Sequence, residues 1–239
     1  MVEPGALLVV LVICVGVMTQ SLVGFGLALV AMPLLVGLVG LRVAAPLVAL
    51  AGLVSQAVLL ARFRQALDFK AIRALALGSV IGIPVGVLAL KRADEALVTA
   101  VLGGLIVAYV LYELSTPGLP QLEGEGWAIG FGLFAGLLTG AYNIGGPPLV
   151  VYGNCRNWDP DAFRGNLQAL ILLHSIMVLV AHALSGNFTA TVSRLFLLSI
   201  PAIALGLVAG AVLEGRISGG AFRRLVLIVL AVLGLKLIF

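Results

Sequence analysis

Two short stretches of this chain combine residues that interrupt a helix with residues that donate hydrogen bonds. The first reads Thr19-Gln20-Ser21, then Gly24-Phe25-Gly26, with Pro33 beyond. The second places Thr139, Tyr142 and Asn143 ahead of Gly145-Gly146-Pro147-Pro148. Proline at 147 and 148 suits the first turn of a new helix, where a missing N–H breaks no bond. Gly145 and Gly146 let a ligand approach the backbone. A helix starting there presents free N–H groups and roughly half a positive charge. Two such starts facing one another form a site for an anion. Asn143 adds an amide donor and Tyr142 a phenolic one. The bland alternatives are tight helix packing for the glycines and bonds to their own helix carbonyls for Thr19 and Ser21.

Further along, Arg164, Gln168 and Ser175 share one helix face. Arg164 has the geometry to clamp an oxyanion, or else it snorkels to a membrane surface. His174 lies within an apolar run and reads as proton-responsive, or as an ordinary interhelical hydrogen-bonding histidine. Ser55 and Gln56 read as polar glue between helices. The ten acidic residues are Glu3, Asp68, Asp94, Glu95, Glu113, Glu123, Glu125, Asp159, Asp161 and Glu214, all at segment ends or in loops. No carboxylate is expected at the membrane midplane, where cation-coupled carriers hold one. Coupling is therefore left to His174, to protonation of the substrate, or to the anion's own gradient. Cys14 and Cys155 read as small packing residues. The expectation is of no catalytic residue, no cofactor and no metal site. A membrane enzyme would need a catalytic polar set that the sequence lacks, and an anion channel stays open as an alternative.

These residues need a scaffold, and composition names its solvent. The chain has 239 residues, of which 62% are hydrophobic and 10% charged, against about 25% charged in soluble domains. Lipid is the solvent for such a chain. A net charge of +4 with no contiguous basic face excludes nucleic acid as a partner. The residues before the first apolar run include no basic group, so that run reads as a retained membrane segment. Apolar stretches fall at about 6–40, 43–61, 71–90, 95–112, 127–153, 163–184, 192–213 and 219–239. The first and fifth exceed the ~20 residues of one crossing and hold the two interruptions.

The interrupted stretches look duplicated. A shift of 120 lays Gly16 on Gly136, Thr19 on Thr139, and Gly26 on Gly146. A shift of 124 lays Gly82 on Gly206, Gly86 on Gly210, and Arg92 on Arg216. The reading is an all-α polytopic helix bundle of two four-segment repeats, each opening with a broken helix. The repeats span 1–114 and 127–239, with a linker at 115–126. If each broken segment enters and returns as two limbs, the loop charges become more lopsided, as the positive-inside rule asks. Arg62 to Arg73, Arg156, Arg164, Arg216, Arg223 and Arg224 then face the cytoplasm, and an odd number of limbs inverts the second repeat. The expected setting is the inner membrane, multi-pass. The expected partners are a small anion and the bilayer, with a homodimer left open.

Ser21-Leu22-Val23-Gly24-Phe25-Gly26 followed by Pro33-Leu34-Leu35 resembles one signature of the TauE/SafE sulfite exporter family. Gly136 to Gly140 followed by Gly145-Gly146-Pro147-Pro148-Leu149-Val150 resembles its pair. The similarity runs nearly the whole chain and includes Arg164. The resemblance implies export of small sulfur oxyanions or organosulfonates, such as sulfite or sulfoacetate. On this reading the substrate-binding residues are Thr19, Gln20, Gly24, Phe25, Gly26, Tyr142, Asn143, Gly145, Gly146, Pro147, Arg164 and Gln168.

Overall fold

A computed structural model of the chain describes residues 4–92, 95–115, 120–214 and 219–238. Arg216 and Asp94 lie outside the described residues, as do the side chains of Arg223 and Arg224. Among the described residues the chain forms ten α-helices, one short 3₁₀ turn at Arg64–Ala66, and no strand.

Helix α1 (Pro4–Val23) stops at the first interruption, and α2 (Leu27–Val39) starts beyond it. Gly24 has φ 89° and Gly26 has φ 128°, values that only glycine adopts without strain. The chain doubles back there. Gly16 of α1 packs on Leu27 and Ala31 of α2, and Gly26 lies on Thr19. The second interruption separates α6 (Glu125–Tyr142) from α7 (Gly146–Cys155). Asn143 turns the chain at φ 59°, a left-handed value that asparagine tolerates. The Leu122 N–H donates to the Cys155 carbonyl at 3.2 Å, so the end of α7 returns to the start of α6. Each broken segment is thus a two-limbed hairpin, the arrangement that the basic-residue bias favours.

The remaining helices are α3 (Leu41–Phe63), α4 (Phe69–Arg92), α5 (Glu95–Ser115), α8 (Pro160–Leu184), α9 (Ala190–Leu213) and α10 (Gly219–Ile238). Five helical stretches among the described residues are long and apolar enough to cross a membrane: Gly5–Val23, Leu41–Ala66, Phe69–Ala89, Pro160–Leu184 and Ala190–Leu213. Large apolar side chains such as Leu77, Leu184, Leu205 and Ile228 point outward. That surface is stable facing lipid and would aggregate in water.

Packing partners come in matched pairs. Helix α4 lies on α6 and α1 on α9, while α3 pairs with α8 and α5 with α10. Small residues bring the first two pairs together, as lipid-embedded helices require. A Cβ at Gly82 would sit 2.2 Å from the Leu133 carbonyl oxygen, and one at Gly206 2.7 Å from that of Cys14. These two glycines are partners in the 124-residue shift, and they make equivalent contacts. Hydroxyls add one bond to each interface: Ser79 donates to Gly132 O at 3.0 Å, and Ser21 donates to Leu207 O at 3.2 Å.

Arg62, Arg73, Arg156 and Arg164 sit near one end of the bundle, at the end of α3 and the starts of α4 and α8 and just beyond α7. Arg73 pairs with Glu125, and Arg156 donates to Leu122 O at 2.6 Å. Arg62 of α3 and Arg164 of α8 both grip Glu214, which follows α9. Both guanidiniums also lie over the Phe63 ring, at 5.1 and 5.4 Å. Burial pushes the Glu214 carboxyl up, but the hydrogen bonds and charges of Arg164 and Arg62 outweigh burial and hold it below the ordinary value of 4.5. A carboxyl depressed on folding stabilises the fold above its unfolded pKa and loses that contribution as pH falls through its folded one. We expect Glu214→Gln to lower the melting temperature in detergent at pH 7, where it leaves two arginines facing each other. The gap from wild type should close as pH falls below 4.5 and the native carboxyl titrates. An unchanged gap in acid would show that Glu214 contributes only packing.

Candidate anion-binding site

The starts of α2 and α7 converge. Gly146 lies against Phe25, with space for a Cβ only 3.3 Å from the ring. Between the two breaks sits a cavity of about 40 Å³, lined also by α3 at Gly52 and Gln56 and by α8 at His174 and Ser175. Gly52 and His174 fall near the middles of α3 and α8, so the cavity is at mid-height in the bundle. Neither helix start is capped by a side chain, at Gly26 or at Gly145. Their first N–H groups have no intrahelical acceptor and are open to a ligand. Pro147 and Pro148 remove two donors from α7, so α2 supplies more of them. Among the described residues no Asp, Glu, Lys or Arg lines this cavity.

The residues singled out from sequence divide into three groups. Gln20, Phe25, Gly26, Asn143, Gly145, Gly146 and Pro147 line the cavity, and so does His174. Gly24 and Gln168 brace it from outside: the Gln168 amide donates to the Gly24 carbonyl and ties the first break to α8. Thr19, Tyr142 and Arg164 lie elsewhere. The Thr19 hydroxyl donates to Val15 O at 2.8 Å, the local bond that competes with any ligand role. Tyr142 is buried in the hydrophobic core. Arg164 sits near the start of α8 in its ion pair with Glu214. Asn143 lines the cavity, but its amide nitrogen donates to Ala45 O at 2.8 Å and so braces α3.

Three polar residues matter more than their sequence context indicates. Ser175 donates to Gln56 Oε1 at 2.6 Å across the cavity wall. Thr139 Oγ1 lies 2.8 Å from Ala135 O and 2.8 Å from His174 Nδ1. The forewarning was that Thr139 precedes a break, that Ser175 shares a helix face with Arg164 and Gln168, and that Gln56 is a polar group in an apolar helix.

A second cavity, of about 270 Å³, is lined by Thr19, Tyr109, Glu113, Asn154 and Phe163. Phe25, Gly26 and Leu29 line both cavities and so belong to the wall that they share. Tyr109 holds the Phe25 ring edge-on, with centroids 6.1 Å apart at 85°. Glu113 departs from the expected surface placement of carboxylates. It lies in the last turn of α5, yet it is only 8% exposed, because neighbouring helices cover that end.

A lipid-facing bundle with open backbone gathered around a mid-height cavity is the architecture of a polytopic membrane transporter, since unpaired backbone survives in a bilayer only where it lines such a space. The chain matches the sulfite exporter TauE/SafE family over residues 8–237, and it belongs to that family. It is 28% identical over 229 residues to a probable sulfite/organosulfonate exporter TauE from Cupriavidus necator, covering 93% of this chain and 89% of that protein. No solved structure gives a match.

Proposed function

We propose that the chain is a carrier in the inner membrane that exports a small anion, sulfite or a small organosulfonate, held between the two helix breaks. The carrying observation is that two uncapped helix starts converge on a cavity lined, among the described residues, by no carboxylate. A dipole end contributes about 0.3–2 kcal/mol toward an anion, depending on burial. Size agrees. One water needs at least about 10–15 Å³ of such space, so about 40 Å³ suits a group with three or four oxygen-sized atoms. A sulfite or a sulfonate head fits. The carbon chain of an organosulfonate would extend past Phe25 into the wider cavity. An inside-negative potential favours anion export by about 2.3 kcal/mol per charge per 100 mV.

The matched packing of α1 on α9 and α4 on α6 supports a duplication at residues 1–114 and 127–239. Five limbs per half would invert the second copy and let the halves rock around the fixed site. The role is transport, with no chemistry performed on the solute.

The direct test is a thermal-shift series on purified protein with sulfite, sulfate, thiosulfate, sulfoacetate, taurine and simple carboxylates, since a ligand raises apparent stability by mass action. Stabilisation by sulfite or a sulfonate is the expected result. Stabilisation by amines or metal cations alone would overturn the reading. Phe25→Ala should merge the two cavities. In liposomes we expect faster, less saturable flux and weaker counterflow than wild type. Wild-type counterflow from that variant would remove Phe25 from the pathway.

A further inference from the structure

The hydrogen bonds around His174 fix which of its ring nitrogens carries the proton. Thr139 Oγ1 is 2.8 Å from the Ala135 carbonyl oxygen and 2.8 Å from His174 Nδ1. A hydroxyl has one proton to give, and a carbonyl oxygen only accepts. Two oxygens at that distance with no proton between them would set lone pair against lone pair. Thr139 therefore donates to Ala135, and its free lone pair accepts from His174 Nδ1–H. The neutral ring keeps its one proton on Nδ1. Its Nε2 is a bare acceptor, with no hydrogen-bond partner, on a residue 2% exposed that lines the cavity.

A bare lone pair at that place opposes the converging helix starts. They attract an anion, and it repels an anion's oxygen. One proton between Nε2 and the anion removes the conflict. It turns the ring into an imidazolium whose second N–H donates to the anion, while Nδ1–H stays on Thr139. Resting on the reading proposed above, we infer that the site takes a small oxyanion together with one proton held at His174 Nε2. For a hydrogen-bearing anion such as hydrogensulfite, the proton arrives on the substrate. For a sulfonate, which stays ionised near neutral pH, the proton comes from solution. In either case an N–H bond forms at Nε2, the donor's bond to that proton breaks (hydrogensulfite in the first case, hydronium or the buffer acid in the second), and one unit of negative charge fewer crosses the membrane.

No other group on the described surface of this cavity competes for the role. Helix α8 packs against α3, α4, α6, α7 and the 3₁₀ turn. The charged residues of these elements whose side chains are described are Arg42, Arg62, Arg64, Lys70, Arg73 and Glu125, with Asp161 and Arg164 on α8 itself. Tyr142, Tyr152, Cys155 and His182 complete the titratable set, and none of these residues lines the cavity. Gln56 and Ser175 bond to each other. Only His174 presents an unpartnered basic atom.

The test is calorimetry of methanesulfonate binding to the full-length purified protein near pH 8, in two buffers that differ in ionisation enthalpy. The expected result is uptake of about one proton per anion, with affinity falling up to tenfold per pH unit as pH rises. His174→Gln keeps a side-chain N–H donor without a titrating group. It should bind with no proton uptake and no pH dependence. Wild-type binding without proton uptake overturns the inference and leaves the anion site standing. Undiminished uptake by a folded His174→Gln protein also overturns it. If neither methanesulfonate nor sulfite binds, the site reading falls and the inference falls with it. The wild-type proton count decides the matter even if the variant does not fold.

Discussion

Gly132→Ala is expected to abolish the folded protein, while Gly130→Ala on the same helix leaves it intact. The two glycines differ only in what a methyl group would meet. At Gly132 a Cβ would lie 2.1 Å from the Leu75 carbonyl oxygen and 2.8 Å from the Leu75 Cα, both backbone atoms of α4. At Gly130 it meets nothing within 4 Å. The contact does not stand alone. Gly78, Gly82 and Gly86 of α4 face Gly132, Gly136 and Gly140 of α6, so the two backbones lie against each other along several turns. Relief at Gly132 requires the helices to separate, which loosens every neighbouring contact and the Ser79 bond to Gly132 O. Overpacking a core typically costs about 1–3 kcal/mol when side chains can yield. Here only backbone is available to yield, so the effect should exceed that range. Lipid offers no hydrophobic force to hold separated helices together. Gel filtration and melting in detergent measure the outcome. We expect a lost monodisperse peak for Gly132→Ala and a melting point at or slightly above wild type for Gly130→Ala, since alanine is the better helix former. A stable Gly132→Ala protein would mean that the α4–α6 approach is looser than described.

The breaks were legible because their cause is local, whereas the return of each as a hairpin was favoured only by the loop charges. Gly24, Gly26 and Asn143 take backbone angles that few residues tolerate, and Pro147 and Pro148 mark a restart wherever they stand. The spans were legible for the same reason, since ~20 apolar residues need no partner to declare themselves. Which residues line the cavity was only half legible, because it depends on competition between distant groups. Arg164 and Gln168 do share a helix face. Nothing in that spacing shows that Glu214 captures Arg164, or that the Gly24 carbonyl takes the Gln168 amide. The Asn143 donor is taken by Ala45 O in the same way. Thr19 was decided by its own helix, where the Val15 carbonyl is always within reach. Glu113 looked peripheral because it lies near a helix end. Its burial comes from helices brought over it by the fold.

Gly145→Ala should cost roughly ten- to hundredfold in anion affinity, while Gly146→Ala costs little. Backbone strain is not the reason. Gly145 has φ −86°, an angle open to any residue. The reason is what surrounds it. A Cβ at Gly145 would lie 2.1 Å from Thr139 Oγ1, 2.8 Å from His174 Nδ1 and 2.9 Å from the Ala135 carbonyl oxygen. It would therefore land on the hydrogen-bonded chain that sets the proton position on His174. Either that chain breaks, or the start of α7 shifts away from α2. Both outcomes weaken the anion site, and a distortion of about 1–3 kcal/mol gives the stated range. At Gly146 the nearest atoms belong to the Phe25 side chain, at 3.3 Å and beyond, and a ring can give by a few tenths of an ångström. Gly146→Leu is different again, because its branched end would press on Phe25 and fill the cavity. It should abolish binding with the fold retained. A double-mutant cycle separates the causes. Thr139→Ala removes the atom closest to the new methyl, so Gly145→Ala should do less further damage in that background than alone. Full additivity would mean that the two residues act independently. Wild-type methanesulfonate affinity in folded Gly145→Ala protein would take the second break out of the site.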